Sequence, residues 1–139
     1  MKYFLFAAAL PLTACNPGTG DAENADQKQE CPVVDSRDWS AKIDAKQDPD
    51  APRLLVRGVI DLPTPDWRAQ LRETHSDRAM PPGVHFAIDF TPPEGPVAQV
   101  VTSRHLTHVS HAADHGYRSI TIHCGDQALA ELTDIPTME

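Results

Sequence analysis

Thirteen prolines punctuate the 139 residues, and most of them stand between short runs in which apolar and polar residues alternate. This pairing constrains the fold more than any other feature. Proline has no amide hydrogen and clashes with the preceding turn of a helix, so it is confined to turns and to sheet edges. Alternation with a period of two is the mark of a strand with one buried and one wet face. In RLLVRGVIDL, Leu54, Val56, Gly58, Ile60 and Leu62 fall on one face and Leu55, Arg57, Val59 and Asp61 on the other. In VHFAIDF, Val84, Phe86, Ile88 and Phe90 alternate with His85, Ala87 and Asp89. In YRSITIHC, Ile120, Ile122 and Cys124 alternate with Ser119, Thr121 and His123. Trp39, Ala41, Ile43 and Ala45 repeat the pattern, as do Trp67, Ala69 and Leu71, while PVAQVVT and QALAELTDI add two weaker runs.

Between the runs lie DPDAP, LPTP, MPPG, TPPEGP and CGDQ, all rich in turn formers. About seven short strands with turns every eight to twelve residues predict an all-β domain, an antiparallel β-sandwich in which each strand gives its apolar face to the core. No repeat period points to a propeller or solenoid.

The segment HLTHVSHAADHGYRSITIHC resembles the stretch before strand F of immunoglobulin-like sandwiches, with Leu106, Val109, Asp114, Gly116 and Tyr117 at approximately matching positions. The resemblance covers about 20 residues and implies an immunoglobulin-like sandwich with a tyrosine corner at Tyr117. The match departs from that family at two points. Tyr117 follows Gly116 directly, and Cys124 lies seven residues beyond Tyr117 rather than two, so the inter-sheet disulfide of that family is not implied.

The chain begins MKYFLFAAALPLTAC. One basic residue, an apolar run of eight from Tyr3 to Leu10 and a small-residue end have the build of a secretory signal peptide, and the run falls far short of the ~20 residues a spanning helix needs. Leu12-Thr13-Ala14-Cys15 resembles the bacterial lipoprotein processing box. That resemblance implies a signal peptide over 1–14, cleavage before Cys15, diacylglyceryl attachment to its thiol and a membrane anchor of two or three acyl chains. Asn16, in place of the Asp that retains such proteins in the inner membrane, implies an outer-membrane location facing the periplasm if the source is Gram-negative. Residues 15–30 hold no aliphatic side chain larger than Ala and read as a disordered tether, leaving 31–139 as the sandwich domain.

With Cys15 assigned to lipid, Cys31 and Cys124 remain as an even pair in an oxidising compartment, and a disulfide between them is expected. Removal of residues 1–14 takes away Lys2 and no acid, which moves the formal net charge from −8 to −9. Such an acidic domain, with its basic residues scattered, is a poor partner for nucleic acid. A membrane contact through the lipid and an envelope protein partner are the expected interactions.

Four of the seven histidines crowd into RHLTHVSHAADHG, residues 104–116. A short helix near 104–115, capped by Ser103 and stopped by Gly116, gathers His108, His111 and His115 on one side, with His111 and His115 at the i,i+4 spacing that lets two imidazoles reach one metal. As strand and loop, the same stretch disperses them. A solvated polar face is the preferred expectation, because no Asp, Glu or Cys joins the stripe at ligand spacing. A Zn or Cu site at His108, His111 and His115 is the alternative. Asp35, Asp38, Asp44, Asp48 and Asp50 lack the Asp-x-Asp-x-Asp-Gly order of a calcium loop. No G-x-S-x-G, H-E-x-x-H, phosphate loop or C-x-x-C is present, and no catalytic residue or cofactor is expected. The sequence therefore predicts a lipid-anchored envelope protein with a non-catalytic binding or assembly module. Its rivals are a metal-binding lipoprotein and an inhibitor of an envelope hydrolase that presents the loops DLPTPDW or FTPPEGP.

Overall fold

The computed structural model describes residues 30–139. The expected signal peptide over 1–14, Cys15 and the expected tether up to residue 29 lie outside the described residues. The rest is all-β, with eight strands: β1 (Asp35–Asp44), β2 (Arg53–Leu62), β3 (Arg68–Ser76), β4 (Gly83–Thr91), β5 (Thr102–His111), β6 (Ser119–Cys124), β7 (Gln127–Leu132) and β8 (Thr137–Met138). They form two four-stranded sheets, ordered β5-β2-β1-β8 and β3-β4-β6-β7. The chain crosses between sheets after β2, β4, β5 and β7.

The alternating runs put their apolar sets into one shared core. Leu54, Val56, Ile60 and Leu62 of β2 meet Val84, Phe86, Ile88 and Phe90 of β4 and Ile120 and Ile122 of β6 across the gap between the sheets. Pairing is antiparallel except for β4 with β6 and β1 with β8, which run parallel. The sandwich is thus mixed rather than wholly antiparallel. A parallel neighbour needs a crossover, and the excursion through β5 in the opposite sheet supplies it for β4 and β6.

Two local expectations are corrected. The stretch 104–115 is not a helix: Thr102–His111 is a strand that pairs with β2 over its full length, from Leu62↔Thr102 to Arg53↔His111. The weak alternation of PVAQVVT does not make a strand either, and Val100 and Val101 stand more than half exposed in the connection to β5. The reason β5 escapes detection is its inward face. That face carries Leu106, His108 and Ser110, whereas Val109 points to solvent and is 51% exposed. Apolar alternation is hidden when polar side chains take core positions. Two of these, His108 Nε2 and Ser110 Oγ, are buried without a hydrogen-bond partner.

Tyr117 closes the connection between β5 and β6. Its hydroxyl accepts a hydrogen bond from the Ala113 amide (2.9 Å), four residues upstream. This is the contact expected of a tyrosine corner. Burial raises the phenol above its ordinary range.

A bulge in β1 fixes how the first sheet meets the core. Arg37 faces Val59 and Ser40 faces Arg57, so Asp38 and Trp39 together oppose the single residue Gly58. Asp38 takes the left-handed backbone (φ 56°), which Asp tolerates better than most residues. The Trp39 indole then lies over Gly58, and a Cβ on residue 58 would overlap three of its ring carbons. Gly58→Ala is expected to destabilise by about 1–3 kcal/mol through overpacking. Urea unfolding followed by tryptophan fluorescence checks it. Adding Trp39→Leu should recover part of the loss, since coupled neighbours are not additive. Gly58→Ala at wild-type stability would mean that the indole moves aside freely.

Candidate functional site

The four histidines that are close in sequence are separated by the fold. His108 turns inward and meets Phe86 edge to face, with ring centroids 4.9 Å apart. His105 and His111 face solvent on the other side of β5, and His115 sits in the following loop beside Asp114. Strand geometry sends residues of odd separation to opposite faces, so His108 and His111 cannot share an ion. The helical grouping of His108, His111 and His115 does not form.

The other three histidines, distant in sequence, come together on the outer face of the second sheet. His75 of β3 pairs with His85 of β4, and Ala87, two residues along, pairs with His123 of β6. The His75 and His85 rings stack at 4.3 Å with 9° between planes, whereas His85 and His123 lie edge to edge and nearly parallel, with centroids 5.2 Å apart and 17° between planes. His85 Nδ1 and His123 Nε2 are 2.9 Å apart and share a hydrogen. The Thr74 hydroxyl lies 3.2 Å from His75 Nδ1 and donates to the His85 carbonyl (2.9 Å). Desolvation holds the His85 imidazole below the usual histidine range, and the neighbouring His75 and His123 push it the same way, against a smaller pull from Asp77 and Glu131. Asp77 is committed elsewhere: its carboxylate accepts the Ala79 and Gly83 amides (3.0 and 2.9 Å) and pairs with Arg118. Those two amides, with that of Gly83 foremost, keep its carboxyl below the ordinary range.

A second feature occupies the other end of β3 and β4. The proline loops that sequence analysis singled out converge there. Asp66 and Trp67 from the β2–β3 connection and Arg68 at the start of β3 join Thr91 at the end of β4, Pro92, Pro93 and Glu94 just after it and Arg104 of β5 in lining a cleft of about 700 Å³. Each wall is held. The Arg104 guanidinium donates to the Pro65 carbonyl, and Trp67 rests edge-on against Phe90 with centroids 6.2 Å apart. Nearby, the Arg37 guanidinium donates to Asp61 (2.7 Å) and to Ser103 Oγ (3.0 Å), while the Ser103 hydroxyl donates to Asp61 (2.5 Å). This network bolts β1, β2 and β5 together. The Ser103 hydroxyl, followed by Arg37, holds the Asp61 carboxyl below its ordinary range.

The disulfide is formed as expected: Cys31 and Cys124 are joined, with Cα atoms 5.2 Å apart. Cys124 is fully buried on the core side of β6, and Cys31 precedes β1, so the bridge ties the entry of the first sheet to the second. Cys15 lies outside the described residues.

Sequence reasoning missed the His75–His85–His123 group. His85 and His123 were each placed on the polar face of their strands, which is correct, but strand adjacency and register are not written in either run. Compared with known protein families, with curated proteins and with solved structures, the chain matches none.

Proposed function

We propose that the chain is a lipid-anchored cell-envelope protein whose sandwich serves as a non-catalytic binding module, with the proline-walled cleft as its recognition end. The observation that carries this reading is the convergence of Asp66-Trp67-Arg68 with Pro92-Pro93-Glu94 around one cleft. The prolines restrict the free walls, so little loop entropy is lost on binding. Trp67 and the prolines offer apolar contact, and Arg68, Arg104, Asp66 and Glu94 offer both signs of charge at the rim. That lining suits an extended segment of a partner protein. The Cys31–Cys124 bridge supports residence in an oxidising compartment, in keeping with the lipoprotein-like start of the chain. A concave lining receives a partner, whereas an inhibitor of a hydrolase presents a convex loop, so the receiving role is preferred over inhibition.

The test places a photo-crosslinking residue at position 94 in living cells. A single defined adduct with an envelope protein is expected, and Trp67→Ala combined with Arg68→Glu should abolish it. A crosslinker at Lys42, on the first sheet, should give none. Equal adducts from both positions, or none from position 94, would overturn the assignment of the cleft. In the same cells Cys15→Ser should move the protein out of the membrane fraction or leave it unprocessed. Unchanged membrane association with a normal mature mass would remove the anchor from the proposal.

A further inference from the structure

We infer that His85 and His123, with His75 stacked beside them, form a capture site for a late first-row divalent cation, Cu2+ above all. The inference is independent of the cleft, which lies toward the opposite end of β3 and β4. Two imidazole nitrogens bound to one metal at ~2.0–2.1 Å, at tetrahedral or square angles, stand about 2.9–3.4 Å from each other. His85 Nδ1 and His123 Nε2 are already 2.9 Å apart. Neighbouring strands and not a mobile loop set that spacing, and because the two nitrogens face each other along the line of the ring centres, each ring must turn before both lone pairs meet on one ion. One hydrogen now lies between them. When the donor ring carries its hydrogen on its other nitrogen, both facing nitrogens are bare, and between two neutral rings no proton is released.

Among the described residues no three ligating side chains already surround a common point. The site is a pair with a third ring alongside. His75 is exposed and stacked 4.3 Å from His85, and it would supply a third nitrogen to an ion held by the pair only after rotation of its side chain. Glu131 of β7, paired with Thr121 in the strand between, adds negative potential at His85. The donor set selects the metal. Closed zinc sites want four protein ligands and open ones three. Two imidazoles with water in the remaining positions match the tetragonal nitrogen and oxygen set of Cu2+, which also stands highest in the affinity order of these ions. No thiolate or thioether is placed there to favour Cu(I).

The experiment uses the untagged full chain carrying Cys15→Ser, so that no free thiol reduces or binds the ion, titrated with Cu2+ against glycine as competitor and followed by calorimetry. Binding in the micromolar range or tighter is expected. His85→Gln and His123→Gln should each weaken it by about 10-fold or more, and His75→Gln by less. A His105→Gln, His111→Gln, His115→Gln variant should bind as wild type. A second measurement needs no variant: substoichiometric Cu2+ should first broaden the imidazole resonances of His75, His85 and His123 in the wild-type NMR spectrum. Broadening that begins at His105, His111, His115 or the N-terminus, or unchanged affinity in a folded His85→Gln protein, would overturn the inference.

Discussion

Removal of the Cys31–Cys124 bridge should lower the thermal midpoint by about 10–20 °C. The two cysteines are 93 residues apart, so the bond closes a loop that spans almost the whole domain. In the chain-entropy account a loop of this length removes ~4–5 kcal/mol of freedom from the unfolded state, and loss of a native disulfide from a small exported domain costs about 2–5 kcal/mol. A domain of this size shifts by roughly 4 °C per kcal/mol. Without the bond, the residues before β1 keep only modest ties, chiefly the Val34 amide to the Asp61 carbonyl (2.8 Å) and the packing of Val33 on the core. The variant should be Cys31→Ser with Cys124→Ala, because residue 124 is fully buried and a serine hydroxyl there would lack a partner. Calorimetry with and without reductant supplies the control: reductant should lower the midpoint of the wild type and leave the variant unmoved. A shift below about 3 °C would mean that the unfolded chain is little restrained by the bond.

Phe86→Ala is expected to cost about 3–5 kcal/mol, among the largest effects of any single substitution in this chain. Phe86 is fully buried in β4, an interior strand flanked by β3 and β6. Across the core its ring meets the edge of His108, whose Nε2 is buried without a partner. Truncation therefore opens a cavity with an imidazole on its wall, within a core whose other members are fixed on paired strands of the two sheets. Phe86→Leu keeps most of the volume and should cost about 1–2 kcal/mol. Urea unfolding with an unchanged dependence on denaturant is the measurement. A loss below 1 kcal/mol for the alanine variant would show that the sheets close over the gap.

The sequence by itself determined the fold class, most of the strands and the disulfide. Alternation in β2, β4 and β6 is a local property: each side chain's face follows from its neighbours along the chain, and the proline turns fix where each run stops. The bridge followed from counting cysteines on the expectation of an oxidising compartment. Local pattern also had a limit, reached in β5, where His108 and Ser110 occupy inward positions that aliphatic residues usually hold and Val109 faces out. What only the tertiary structure decided was which strands are neighbours. The parallel pairing of β4 with β6 brings His85 and His123, 38 positions apart in the chain, into diagonal contact, while the extension of β5 pulls the sequence-adjacent histidines to opposite faces. Contacts of that range depend on how the whole core is shared between two sheets, a condition that no window of a few residues contains.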